Sequence, residues 1–335
     1  MKLKVIVTAK IYDEVLEYLH QNCEVIYFNE LNEETYPAFI EQLSDTKGIF
    51  SMGLKVDRFL LNHAPQLKIV SNVSVGYDNF DLAEMTSRGV MATNTPEVLN
   101  DTTADAALAL LLATARRIPE LDQYVKTGKW HGLVEDEWFG VDVYGKTLGI
   151  IGMGRIGTAI AKRAHLGFDM NILYHNRSCN IEAENLYSCK YCSLDELLQK
   201  SDFVCLMTPL TSETKYLLGK REFKLMKETA IFINVSRGQT IREKDLISAL
   251  QNKWILAAGL DVYEQEPVDL GNPLLKFPNV VTLPHIGGAT KKTRLNMMKL
   301  AAENLIQGLT GERPKNLINE QAYWMKTCLA DGREK

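Results

Sequence analysis

The run Lys146-Thr-Leu-Gly-Ile-Ile-Gly-Met-Gly-Arg-Ile-Gly157 constrains this chain more than any other stretch. An apolar segment at 148–151 breaks into GxGxxG and continues over 158–166 with helical spacing, which reads as strand, tight turn, helix. In that context Gly152 permits the turn, Gly154 lets the backbone approach a pyrophosphate, and Gly157 allows the helix to pack close on the strand. The phosphates would sit on the backbone at Gly154, Arg155, Ile156 and Gly157, at the positive end of the helix. Glycines also collect in ordinary βα turns; the apolar run before this one and the Ala-rich helix after it favour dinucleotide binding.

A chain of 335 residues exceeds one usual core, so two domains are expected. With 46% hydrophobic and 24% charged residues it has a soluble globular balance. A net charge of −4 gives no electrostatic reason to expect nucleic acid or an anionic membrane. Small molecules and other subunits are the expected partners. The apolar run Val5-Ile6-Val7 is too brief for a signal peptide or spanning helix, which makes the cytoplasm the expected compartment. Six cysteines in this length are not a disulfide framework. Cys189-Lys-Tyr-Cys192 with Cys179 and Cys205 has the thiols for a zinc site. However, Cys205 lies in an apolar strand pattern and no second CxxC or histidine pair stands at ligand spacing, so the expectation is reduced, buried thiols and no metal.

Along the chain, strand patterns at 2–9, 24–28, 48–51, 67–74 and 90–94 alternate with helical ones such as 12–20, which predicts a parallel sheet with helices on its faces. Its fourth strand runs into Ser74-Val75-Gly76-Tyr77-Asp78-Asn79, a loop that can serve as a plain turn or hold an anion on backbone N–H groups. Asn100-Asp-Thr-Thr103 supplies N-cap chemistry for a long Ala/Leu helix at 104–116, and the first domain crossing is placed at about Leu99. The stretch 128–145 holds Trp130, His131, Trp138 and Tyr144, aromatics that serve either a partner surface or packing on the chain's own long helix.

After the glycine loop, strand patterns at 171–174, 202–207, 229–235, 255–262 and 280–283 bring the cofactor domain to six strands with that at Leu148. The second ends in His175-Asn176-Arg177-Ser178, where an NAD-preferring fold carries an acidic residue for the ribose hydroxyls. Here Asn176, Arg177 and Ser178 offer donors and a positive charge that suit a 2′-phosphate, favouring NADP(H); with Arg177 as a solvated loop residue, NAD(H) binds as well.

Three further strand ends present Arg237, Glu266 and His285. Together they meet the needs of 2-keto acid reduction. Arg237 can hold the planar carboxylate and polarise the adjacent carbonyl. His285 can give a proton to the carbonyl oxygen, and Glu266 can orient and charge the imidazole. Singly, each has a structural explanation; all three at strand ends of one dinucleotide-binding domain do not.

These motifs identify a resemblance. From Val5 to about Asn319 the chain resembles the D-isomer-specific 2-hydroxyacid dehydrogenases, through Gly152 to Gly157, Asn234-Val-Ser-Arg-Gly238, Gly259-Leu-Asp-Val262 with Glu266-Pro267, and Pro284-His-Ile-Gly287. The resemblance implies that Arg237, Glu266 and His285 are catalytic. It places Thr103, Thr208, Pro209, Val235 and Asp261 near the nicotinamide half of the cofactor, and assigns the substrate carboxylate to Val75 and Gly76. It implies two doubly wound parallel-sheet lobes, a Rossmann cofactor domain (100–285) inserted into a flavodoxin-like substrate domain (1–99 with 286–319), followed by a loosely ordered tail (320–335). It also implies a homodimer through the long helix and its arm, with Trp138 reaching the partner's site. Ser74-Val-Gly-Tyr-Asp-Asn79 and Thr114-Ala-Arg-Arg117 are similar to the bacterial glyoxylate/hydroxypyruvate reductases that also reduce 2-keto-D-gluconate. The expected reaction is hydride transfer from NADPH to a small 2-keto acid. Phosphoglycerate or D-lactate dehydrogenases, and dinucleotide-sensing corepressors of the same fold, are the alternatives.

Overall fold

The computed structural model describes residues 2–330. They form two compact units, one from the described parts of Met1–Val98 and Thr290–Lys335, the other from Leu99–Ala289. The chain is an α/β protein in which each unit is built on a wholly parallel sheet.

In the first unit β1 (Leu3–Val7), β2 (Cys23–Tyr27), β3 (Gly48–Ser51), β4 (Ile69–Asn72) and β5 (Met91–Thr93) run in the order β2-β1-β3-β4-β5. This is a doubly wound order whose direction reverses between β1 and β3. Parallel neighbours need crossovers, and the helices that make them cover both faces, so β3 and β4 are buried along their whole length and read as unbroken runs. The helix Lys291–Thr310 returns from late in the chain to one face, where the Ser71 hydroxyl donates to Ala301 O at 2.7 Å.

The sequence reading expects a loose tail from 320 onward. Instead Glu320–Ala330 is a helix; residues 331–335 lie outside the described part. Long-range bonds that no local pattern announces hold its start. Ile318 N–H donates to Ala92 O at 2.8 Å, the Asn319 side chain accepts from Ala92 N at 2.8 Å and donates to Val90 O at 2.9 Å, and Ala322 is fully buried. A segment pinned to β5 in this way has its ordering entropy offset by burial.

The second unit holds β6 (Thr147–Ile151), β7 (Asn171–His175), β8 (Lys190–Tyr191), β9 (Phe203–Leu206), β10 (Ile231–Asn234), β11 (Ala257–Leu260) and β12 (Val280–Thr282), ordered β12-β11-β10-β9-β6-β7-β8. Six strands are expected and seven are present. The addition is β8, a two-residue exposed edge strand too short to carry a periodic signal, and it supplies the third strand of the dinucleotide-binding order. Connectivity reverses between β6 and β9, so the loops leaving both strands border one crevice.

The long helix spans Asn100–Ala115 and packs on β10 and β11 beside the helix Arg155–Phe168. It approaches the sheet so closely that a Cβ on Gly259 would stand 2.7 Å from the Thr114 hydroxyl. The expected side-chain cap within residues 100–103 is absent, because those residues are already helical and Leu99 is the cap position. Asp101 and Asp105 instead pair with Arg163 at 3.0 and 2.6 Å, tying the two helices together. In the stretch that follows, Trp138 is half-buried against Tyr124 and under Arg117, whereas Trp130, Phe139 and Tyr144 are exposed and Leu133 is 99% exposed. Among the described residues no helix is long and apolar enough to cross a membrane.

Candidate active site

The glycine loop leaves β6 and enters the helix Arg155–Phe168. Gly152 has φ +105°, and a Cβ there would stand 2.8 Å from the Met207 carbonyl carbon. A Cβ on Gly157 would meet Gly152 O at 2.3 Å, so that helix and loop touch backbone to backbone. Gly154 differs: it is the helix N-cap, no side chain caps that end, and a Cβ on it would meet nothing within 4 Å. The open space lies where an anion would meet the helix's positive end. Beside this loop, the hydroxyl of Thr208 is buried without a hydrogen-bond partner among the described residues. An uncapped helix end and an orphaned donor both fit a bound dinucleotide.

At the carboxyl end of β7, Asn176 is half-buried and Arg177 and Ser178 are exposed. The region is held by Asn180, whose amide donates to Met153 O and to the Thr158 hydroxyl, both at 3.1 Å, and by His175, whose Nδ1 meets Cys192 O at 3.0 Å. No acidic residue occurs from Tyr174 to Asn180. Arg177 lies near Glu213, whose carboxyl is held below its usual range by hydrogen bonds with Thr211 and Ser212, with the charge of Arg177 adding to them.

The strand ends of β10, β11 and β12 carry the candidate catalytic side chains. After β10, the fully buried Asn234 shapes the loop by accepting from Ser236 N and Oγ at 3.0 and 2.8 Å and donating to Arg237 O at 3.2 Å. Arg237 Nη1 donates to Ser236 O at 2.8 Å, which fixes the plane of its guanidinium. The next residue, Gly238, lies so near the following loop that a Cβ would fall 1.8 Å from the Tyr263 carbonyl carbon.

Glu266 uses both oxygens: Oε1 accepts from Tyr263 N at 3.0 Å and Oε2 from His285 Nδ1 at 2.7 Å. Burial works against its ionisation, yet the His285 hydrogen bond, the Tyr263 N–H and the charges of His285 and Arg237 outweigh it and hold the carboxyl below its usual range. An ionised Glu266 requires hydrogen on His285 Nδ1, leaving Nε2 as the position that can exchange a proton.

His285 has φ +54°, a backbone conformation that is rare for residues other than glycine. Asp261, 1% exposed at the end of β11, stabilises it by accepting from Ile286 N at 2.7 Å and Gly287 N at 2.9 Å. Burial raises the Asp261 carboxyl, opposed by those two N–H bonds and by His285. Thr103 also adjoins this turn, its methyl carbon 3.2 Å from where a Cβ of Gly287 would be. An apolar cavity of about 520 Å³ adjoins the pair, walled by Val268, Leu275 and Leu283. Val235 is buried at the end of β10, and Pro209 O accepts from the Thr214 hydroxyl at 2.5 Å.

In the first unit, the loop after β4 turns three successive carbonyls inward. Ser74 O accepts from Thr95 N at 2.9 Å, Val75 O from Asn94 Nδ2 at 2.8 Å, and Gly76 O from Asn72 Nδ2 at 3.0 Å. In a trans peptide the N–H points opposite to the preceding carbonyl, so the N–H groups of Val75, Gly76 and Tyr77 face away from this scaffold. Asn72 and Asn94, which set that orientation, carry no signal in the sequence beyond their place at strand ends.

The cysteine pair of the CxxC divides between two cores. Cys189 packs with Tyr174 and Ala183, and Cys192 with Leu197 and Leu198. Burial pushes the Cys189 thiol up to about 11 and that of Cys205 to about 12. Cys179 is exposed, contrary to the expectation of burial, because it lies in the loop beyond β7. Among the described residues no group of three or more His, Cys, Asp or Glu could hold a metal ion.

Comparison with known proteins agrees with this geometry. Residues 108–287 match the family model described as D-isomer specific 2-hydroxyacid dehydrogenase, NAD binding domain. Glyoxylate/hydroxypyruvate reductase B of Enterobacter sp. (strain 638) is 48% identical over 319 residues, covering 95% of this chain and 98% of that protein. Among solved structures, a protein from Thermus thermophilus superposes with a TM-score of 0.87 at 38% identity, covering 94% of this chain and all of that one. An NADPH-dependent glyoxylate/hydroxypyruvate reductase from Sinorhizobium meliloti, in complex with NADP and malonate, does so with a TM-score of 0.84 at 32% identity, covering 96% and 98%. A two-sheet α/β chain with a dinucleotide cradle, matched over nearly its whole length by such reductases, is an NAD(P)-dependent oxidoreductase and belongs to the D-isomer-specific 2-hydroxyacid dehydrogenases.

Proposed function

We propose that this protein reduces glyoxylate, hydroxypyruvate and 2-keto-D-gluconate to D-2-hydroxy acids, with NADPH preferred over NADH. The 2.7 Å pair of Glu266 and His285 carries the reading, since it readies an imidazole as proton donor beside a fixed guanidinium. The reduced nicotinamide, when bound, supplies the hydride. Arg237 grips the substrate carboxylate and polarises the keto oxygen, and Val75 and Gly76 offer N–H groups to the same carboxylate. His285 Nε2 gives its proton to the oxygen as it gains charge, and Glu266 stabilises the imidazolium that donates it. Asp261 keeps the His285 turn in place.

The cradle residues Gly152, Gly154, Arg155, Ile156 and Gly157 take the pyrophosphate, Thr103, Thr208, Pro209 and Val235 the nicotinamide side. Asn176, Arg177 and Ser178 take a 2′-phosphate, supported by the lack of an acidic residue from Tyr174 to Asn180 and by the NADPH dependence of the Sinorhizobium meliloti relative. The exposed apolar surface at Trp130, Leu133 and Phe139 supports a homodimer.

Initial rates with each keto acid under NADPH and NADH test this. Turnover that is faster with NADPH is expected. Faster turnover with NADH overturns the 2′-phosphate reading alone, and no turnover of any of the three overturns the substrate assignment.

A further inference from the structure

We propose that Arg294 determines substrate choice in this enzyme by binding an oxygen acceptor on C3 or beyond of the 2-keto acid. This rests on the reading above in which Val75 and Gly76 hold the substrate carboxylate.

Arg294 lies in the first turn of the helix Lys291–Thr310 and is half-buried. Its Nη1 stands 3.2 Å from the thioether sulfur of Met52, and among the described residues that is the guanidinium's only hydrogen-bond acceptor. A thioether is a weak acceptor for a group with five N–H donors and a full charge. No acidic residue occurs in the helix's first turn to balance that charge. Half-buried guanidinium groups are ordinarily matched by carboxylates or carbonyls, so the acceptor missing here is one that a ligand can bring.

The position shows which part of a ligand this is. Met52 directly follows β3, whose neighbour β4 leads into the Val75–Gly76 loop. Gly53 N donates to Asn72 Oδ1 at 3.3 Å, and Asn72 Nδ2 donates to Gly76 O at 3.0 Å, so the end of β3 and the carboxylate loop are joined through one side chain. A keto acid held by its carboxylate on that loop extends its remaining carbons along the same edge of the sheet. Glyoxylate has no carbon beyond C2. Hydroxypyruvate has a hydroxyl on C3, and a 2-keto sugar acid has a row of them. A guanidinium at this edge separates these substrates by offering charged donors to the longer ones alone.

The test compares Arg294→Met and Arg294→Lys with the wild-type enzyme, using kcat/KM for hydroxypyruvate and for glyoxylate under NADPH. The ratio of the two is expected to fall about tenfold or more in Arg294→Met, the size of one lost charged hydrogen bond. A smaller fall is expected in Arg294→Lys, which keeps the charge without the fork. An unchanged ratio in both variants, or an equal loss on both substrates, overturns the role of Arg294 while leaving the reductase reading intact. A wild-type enzyme that turns over neither keto acid overturns that reading, and this proposal with it.

Discussion

Replacing Gly154 by alanine separates the cofactor site from the fold more cleanly than any other single change. Gly154 has φ −84° and ψ −162°, which any residue adopts, and a Cβ would meet no atom within 4 Å. Its neighbours in the motif differ: Gly152 lies at φ +105°, and a Cβ on Gly157 would be driven to 2.3 Å from a carbonyl oxygen. In the folded protein the Gly154→Ala methyl therefore costs little. A poorer N-cap is opposed by reduced freedom of the unfolded chain, each effect being about 0.5–1 kcal/mol. The expected shift in Tm is under about 2 °C. In the complex the methyl occupies the path by which a pyrophosphate reaches the helix N-terminus, and displaces at least one charge-assisted hydrogen bond worth about 1.5–3 kcal/mol. The Kd for NADPH should rise about 10- to 100-fold, as read by quenching of tryptophan fluorescence alongside a melting curve. An unchanged Kd would refute a phosphate at this helix end; a large drop in Tm would refute the open space on which the reasoning rests.

Other expectations follow from the same geometry. Gly238→Ala should do the reverse of Gly154→Ala, since its Cβ would fall 1.8 Å from the Tyr263 backbone: overpacking of about 3 kcal/mol or more lowers Tm, and a native-like melt would contradict the contact. His285→Ala should lower kcat about 10²- to 10⁴-fold while NADPH titration is little altered, and turnover within tenfold of wild type would remove the proton-donor role. Asp202 is partly buried, and although burial raises its carboxyl, Lys227 and the Thr147 N–H bring it below the usual range. A lowered folded-state value means that its contribution is complete above the ordinary carboxylate range and is lost as pH falls through the depressed value. Asp202→Asn should thus be less stable than wild type by about 1 kcal/mol at neutral pH, with the gap closing in acid below about pH 4; urea titrations at both pH values check this.

Much of the fold was legible because its signals are local. The break of an apolar run into a helical pattern across Gly152–Gly157, and the buried parallel strands that read as unbroken apolar runs, need no knowledge of distant residues. Arg237, Glu266 and His285 could be chosen as candidates because each follows a recognisable strand, and strand ends of such sheets share one edge. What remained unreadable depends on pairs far apart in the chain. Lys190 and Tyr191 form a strand only because β7 lies beside them, and Glu320–Ala330 is helical where Asn319 is anchored to Val90 and Ala92. Tertiary structure alone decided that Asp261 spans 25 residues to steady the His285 turn, that Gly238 must lack a side chain, and that Arg294 faces a thioether across 242 residues of sequence. A sequence displays the chemistry of each residue and its local period; which groups meet, and which one is left wanting a partner, is settled only when long-range packing closes.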